Sequence, residues 1–290
     1  MPFSDFDVFW KAAQAILQGQ DPYAIPGVYY PLPTFFVFLP LAALPLSIAH
    51  IVWSAIEAVV FVAILRRRAP LVILFMPVVL TFLMGQTVMP LVGVFALLRS
   101  GLHGGIALAL LMLKPQLIVF VAPWLFWRWW KEDRRQIVSF GLLLGTMIAA
   151  AFITQPDWAN RWLTVSGVRV RAPISPSIWG VLSFLPTPWW MLSALLLTIG
   201  IVVWAWRRTD IDLVMAATML VNPVLISYDQ TLFALMIEDT RAWIVLTLTS
   251  WLAFVLSALE LNERASVVTT LVVIAILLRG SRNRVVARQT

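Results

Sequence analysis

The chain has no cysteine, which excludes disulfides, thiolate nucleophiles and Cys-bound metal. Histidine is nearly absent: His50 and His103 lie far apart and lack the spacing of a metal site. Charged residues make up only 12% of the chain, against 61% hydrophobic. With a mean hydropathy of +0.90, an ordinary soluble domain is ruled out. There is no phosphate-cradling glycine loop and no nucleophilic serine motif. The first residues are polar and acidic rather than basic, and no short apolar core follows where a cleavable signal would need one.

Long apolar runs fill the rest, so the fold class is all-α, a polytopic membrane helix bundle. At about twenty residues per crossing, the length accommodates roughly ten or eleven spans in one membrane domain over residues 1–290. The net charge of +7 sits in short clusters at the ends of apolar runs. That is the pattern of a chain oriented in a bilayer, not of a nucleic-acid binder. Residues 32–46, interrupted by Pro33, Pro40 and Pro45, read as a thin kinked span or a re-entrant pair. Residues 47–65 read as a clean span stopped by Arg66, Arg67 and Arg68; 70–84 and 87–99 as short spans around Gly85-Gln86; and 104–127 as a longer one with Lys114 at its centre. Residues 137–153, 188–206, 211–227, 229–238, 242–259 and 266–279 complete the set. Placing the basic clusters at 128–135, 207–208 and 279–288 inside puts the polar pieces 1–31 and 154–177 together outside, with 32–153 and 178–279 as the spans and 280–290 as a basic tail. This count sets Arg66–Arg68 against the charge rule, so their side of the membrane stays open.

The segment from Ser4 to Leu32 differs from everything after it. It carries Asp5, Asp7 and Asp21, three of the fourteen acids. Phe6, Phe9, Ala13, Ile16 and Leu17 recur at helical spacing, which predicts a short amphipathic helix with Asp5 at its start and Gly19 as its left-handed cap. About fourteen residues cannot cross a bilayer, so the helix is expected to lie at the interface, apolar face toward lipid.

Few residues can carry chemistry. Asp5 or Asp7 at the membrane surface is a candidate general base on a hydroxyl, or a helix cap. A mid-span lysine costs several kcal/mol unless it faces a cavity or partner, which makes Lys114 a candidate phosphate site or else a snorkelling residue. Gln116 follows it beyond Pro115, and Gln86 follows Gly85 at a span junction. Tyr228 and Asp229 form a second polar spot after the kink at Asn222-Pro223. Arg161, Arg169 and Arg171 are candidates for a forked phosphate clamp, or are plain interface anchors. The run WLFWRWW at 124–130 is an interface belt.

Taken in order, the blocks SDFDVFWKAAQAILQGQDPY, YYPLPTFFVFLPLAALP, GQ at 85–86, KPQ at 114–116 and NPVLISYD at 222–229 carry a resemblance. The chain resembles the polyprenol-phosphate-dependent glycosyltransferases of the GT-C superfamily. It is most similar to glycosyltransferase family 87, the bacterial mannosyl- and arabinosyltransferase-like group, over roughly residues 4–240. The resemblance implies an active site on the extracytoplasmic side of a prokaryotic plasma membrane and a sugar, mannose first among them, on polyprenyl phosphate as donor. It implies a glycan or glycolipid acceptor and inversion at the anomeric carbon; nothing visible in the residues calls for a metal or other cofactor, and the charge pattern calls for no nucleic acid. The resemblance assigns catalysis to Asp5, with Asp7 the near rival, and substrate binding to Gln86, Lys114, Gln116, Tyr228 and Asp229; Arg169 and Arg171 join the substrate-binding candidates through the forked phosphate clamp read above. The family's first transmembrane helix precedes the acidic loop, whereas this sequence opens at the loop. A shortened member, a lost start, or a partner chain that supplies the helix all fit. Two other functions fit the same residues: a flippase for a lipid-linked sugar, and a non-catalytic membrane subunit.

Overall fold

Helix dominates, and its interruptions follow the prolines and glycines. The computed structural model describes residues 4–168 and 172–286. Among these, twelve α-helices have eight or more residues. They are α1 (Ser4–Leu17), α2 (Leu46–Leu65), α3 (Met76–Met84), α4 (Val88–Ser100), α5 (Gly104–Leu111), α6 (Val121–Glu132), α7 (Arg134–Thr154), α8 (Trp158–Val168), α9 (Trp189–Trp206), α10 (Ile211–Val221), α11 (Thr240–Leu256) and α12 (Val267–Val286). No strand occurs among the described residues.

Four helical stretches among the described residues are long and apolar enough to cross a membrane: Leu46–Val72, Arg134–Thr154, Trp189–Trp206 and Thr240–Leu259. α4 and α10 are apolar but shorter. The all-α polytopic bundle is therefore as expected, while the ten or eleven full spans are not. Backbone chemistry gives the reason. Pro33 and Pro40 each open a four-residue helix instead of a span. Pro115 cannot donate an amide hydrogen and disfavours helix at Lys114, so the run 104–127 ends at Leu111, passes through a tight turn at Pro115–Leu117 and restarts at Val121. Gly85 closes α3 early. The segment 154–177, read as a loop, contains α8. Val138, Leu142 and Ile153 of α7 are exposed, as are Leu196 and Ile199 of α9. Large apolar side chains standing outward along a whole helix suit lipid as the surrounding solvent.

The chain divides into two compact units. The first is built from Met1–Arg66, Leu80–Pro115 and Trp129–Val170. Its core gathers Phe6 and Phe9 of α1, Phe35, Phe38 and Leu41 of the proline-broken stretch, and Trp53 of α2. Phe9 stacks on Phe38 at 4.9 Å, and the Trp10 indole donates to the carbonyls of Leu41 at 3.2 Å and Leu44 at 3.3 Å. The apolar face of α1 is thus covered by the protein itself and not turned to lipid. Full burial of Phe6 and Phe9 is worth about 1.5–3 kcal/mol each, more than an interfacial resting place at headgroup depth offers a single ring. α1 ends as its sequence predicts: Gly19 at φ +68°, with Gly19 N–H bonded to Ile16 and Gln20 N–H to Ala15, the double closure of a Schellman cap. Elsewhere in this unit α5 crosses α7 so closely that a Cβ on Gly105 would lie 2.0 Å from the Gln136 carbonyl oxygen.

The second unit comprises Arg67–Val79, Gln116–Arg128 and Arg171–Thr290. α10 is buried along its whole length and packs against α9 and α12. Within it Arg68 donates to the Ile237 carbonyl at 2.7 Å.

Candidate active site

Asp5 of α1 meets the GQ turn at the cap of α3. α3 ends in a second Schellman closure: Gly85 N–H bonds to Phe82 and Gln86 N–H to Thr81. The closure needs a left-handed residue, and Gly85 supplies φ +61° without a Cβ penalty. The residue after it, Gln86, is wholly buried, and its Nε2 donates to Oδ2 of Asp5 across 81 positions of sequence. From α2, the Trp53 indole donates to the Gly85 carbonyl at 3.1 Å. The glycine of the GQ pair thus shapes the turn and the glutamine does the reaching.

Asp7 points elsewhere. Its Oδ1 lies 2.7 Å from Nε2 of His50 on α2, with the Asp7 side chain 34% exposed and His50 20%. Phe6, between the two acids, packs on His50 at 4.7 Å and stacks on Trp53 at 5.9 Å. Asp5 therefore reaches the turn beside α2 and Asp7 the first half of α2, each against a different polar partner.

Lys114 is fully buried in the break between α5 and α6. Its Nζ lies 5.8 Å from the centre of the Tyr30 ring, within cation–π range. Thr34 donates to the Leu113 carbonyl at 2.7 Å and so anchors the residue before the lysine. Tyr30 is itself tied down: the Tyr23 hydroxyl donates to its carbonyl at 3.2 Å. Asp21 caps the turn that carries Tyr23, with its Oδ1 2.9 Å from Tyr23 N. Burial first, and then the nearby Asp21 charge, hold the Tyr23 phenol above its ordinary range.

Arg161 on α8 bonds both Asp21 and, at 2.5 Å, Asp157. Two carboxylates already occupy its fork, so the expected phosphate clamp is not formed by this arginine. Arg169 and Arg171 lie outside the described residues, as do 287–290 of the basic tail.

The second unit holds the remaining candidates. The Gln116 carbonyl accepts from Asn222 Nδ2 at 2.5 Å, and Asn222 Oδ1 accepts from Val224 N at 2.9 Å. The Asn-Pro kink is thereby held by the backbone of Gln116, not by its side chain. Tyr228 and Asp229 are buried, and Asp229 Oδ2 accepts from Ile226 N at 3.0 Å. Beside them Ser227 donates through N–H to Glu263 at 2.9 Å, and Gln230 donates to the Ser266 carbonyl and to Thr270.

One acid went unnoticed in the apolar run 47–65. Glu57, on the buried face of α2, has no exposure, and neither carboxylate oxygen has a hydrogen-bond partner. An ionisable residue inside a spanning run is a functional signal in its own right, and it was visible in the sequence. His50 also escaped notice as a partner for Asp7. Nothing in a sequence pairs them, because the contact spans two helices.

A model of glycosyltransferase family 87 matches residues 29–228. The chain belongs to glycosyltransferase family 87. No curated protein and no solved structure matches it. With four membrane-length helices among its described residues, this family 87 member is a membrane glycosyltransferase. The match takes in Tyr30, Gln86, Lys114, Gln116 and Tyr228. Asp5 and Asp7 lie before it and Asp229 just past its end, so the two candidate bases rest on their geometry.

Proposed function

We propose that the protein moves a hexose or pentose, mannose before others, from a polyprenyl-phosphate donor to the hydroxyl of a glycan or glycolipid. The reaction runs with inversion at the extracytoplasmic face of a prokaryotic plasma membrane. Asp5 is the general base. The observation that carries this reading is the hydrogen bond from buried Gln86 to Asp5, which joins the acidic block to the GQ block inside one compact unit. Asp7 gives an oxygen to His50, which favours a supporting role for that pair and leaves Asp5 as the base.

Asp5 takes the proton of the acceptor hydroxyl as that oxygen attacks the anomeric carbon. The bond from the anomeric carbon to the phosphate oxygen breaks on the opposite face, and its electron pair leaves with polyprenyl phosphate. A phosphate departs without a strong general acid, so one carboxylate suffices, unlike the paired acids of glycoside hydrolysis. Lys114, buried under Tyr30, supplies positive charge toward the departing phosphate in surroundings of low dielectric. Gln116, Tyr228 and Asp229, with Arg169 and Arg171, are the further substrate-binding residues in this reading.

The test is sugar transfer from polyprenyl-phosphate mannose by purified protein in vesicles. Asp5→Asn is expected to lower the rate by about 10²–10⁴-fold and Asp7→Asn by much less. Parent rates in both variants would remove the proposed base. A lipid-linked sugar flippase draws support from the helix broken at Lys114. Flipping in vesicles without any transfer would select it instead.

A further inference from the structure

Glu57 has no role in the chemistry above, yet α2 holds it beside that chemistry. Its helical face runs Ala49, Trp53, Glu57, Phe61, Leu65, all buried. One turn before Glu57, Trp53 bonds the Gly85 carbonyl at 3.1 Å. One turn after it, Phe61 meets Phe82 edge to face at 5.5 Å. Glu57 is therefore bracketed by two contacts to the last turn of α3 and the GQ turn. The seam beyond it is tight: a Cβ on Gly93 of α4 would come within 3.3 Å of Val60 and Ile64 of α2.

Two facts then belong together. Both carboxylate oxygens of Glu57 lack a hydrogen-bond partner, and so does Oε1 of Gln86, the amide oxygen left over once Nε2 has been given to Asp5. An ionised carboxylate with neither a hydrogen bond nor a cation is far too costly in an apolar interior, so the group carries a proton. A neutral carboxylic acid has one donor to place. The Gln86 amide, buried with Nε2 toward a carboxylate, has one acceptor to satisfy. We propose that Glu57 is a positioning residue: as the neutral acid it donates to Oε1 of Gln86, and this fixes the amide that holds the carboxylate of Asp5. This deepens the reading of Asp5 as base and rests on it for its catalytic consequence, though not for the bond itself.

Infrared difference spectra of the parent against Glu57→Gln test the bond directly. The expected result is a carboxylic-acid carbonyl band that Glu57→Gln removes and that Gln86→Leu shifts. Absence of such a band, or a band indifferent to Gln86→Leu, would overturn the proposal. Transfer kinetics test the consequence. Glu57→Gln keeps a donor at the same reach and is expected to stay within a few-fold of the parent. Glu57→Leu, checked for monodispersity, is expected to lose on the order of tenfold to a hundredfold in kcat with the donor KM little changed. Parent-like kcat in Glu57→Leu would overturn the positioning role. So would an equal loss in Thr87→Val, whose hydroxyl also lacks a partner and is the rival donor. A parent rate in Asp5→Asn would sink the base assignment alone, since the infrared arm still decides the bond to Gln86.

Discussion

Gly85→Ala sets two costs against each other, and their sizes decide the outcome. Alanine at φ +61° pays about 1–2 kcal/mol for the left-handed conformation. Relaxing the turn would escape that strain but give up three hydrogen bonds: Gly85 N–H to Phe82 at 3.3 Å, Gln86 N–H to Thr81 at 3.0 Å and the Trp53 indole to the Gly85 carbonyl at 3.1 Å. At about 1 kcal/mol each, relaxation costs roughly 3 kcal/mol, so the strained turn is the cheaper state. The expected phenotype is a less stable protein with its chemistry nearly intact. Thermal unfolding in detergent should show Tm lowered by roughly 2–4 °C per kcal/mol, and transfer should stay within a few-fold because Gln86 still faces Asp5. Trp53→Phe added to Gly85→Ala removes one of the three bonds and brings the two costs level. The double variant should then lose much more rate than the product of the single effects. A Gly85→Ala protein of parent stability whose rate falls about a hundredfold would refute this reasoning, because the turn would have relaxed without the capping bonds resisting.

Three further outcomes follow from the geometry. Gly105→Ala puts a methyl 2.0 Å from the backbone oxygen of Gln136, which cannot swing aside, so α5 and α7 must separate; a loss of about 1–3 kcal/mol should appear in thermal unfolding. The Tyr23 phenol ionises less readily when folded than its ordinary value of 10.0, so its share of stability is whole below that pH and is lost as pH rises beyond it. Unfolding midpoints of the parent and Tyr23→Phe measured from neutral pH into alkali should converge as pH climbs. Arg161→Ala should leave sugar transfer near the parent rate, because the guanidinium already serves Asp21 and Asp157; abolished transfer would return this arginine to the substrate.

What the sequence reveals here depends on whether a feature is local. The all-α membrane bundle follows from apolar runs, and the start and cap of α1 follow from Asp5 and Gly19, whose effects act within one turn. The prolines are equally plain as breaks. Each breaks the intrahelical bonding that a crossing requires, so apolar runs form short helices packed on protein, and four membrane-length helices occur among the described residues. The apolar stripe of α1 shows the same limit. Periodicity identifies a buried face but not what buries it, and here Phe38 and Trp53 do so, not lipid.

The site follows the same division. Asp5, Gln86 and Lys114 are each conspicuous by residue type, because a polar side chain in so apolar a chain invites attention. Their pairings are another matter. Asp5 finds Gln86 because a glycine turn after α3 delivers the amide, and Lys114 finds Tyr30 because the same Tyr23–Asp21 cap that shapes the DPY turn pins the tyrosine backbone. Glu57 is inconspicuous for the opposite reason: one acid among many apolar neighbours scarcely changes the mean hydropathy of a span. Single charges therefore need to be read one at a time against the cost of burying each. A carboxyl group with no exposure and no partner is too expensive to be incidental, and in this helix it sits one turn from the tryptophan that steadies the GQ turn.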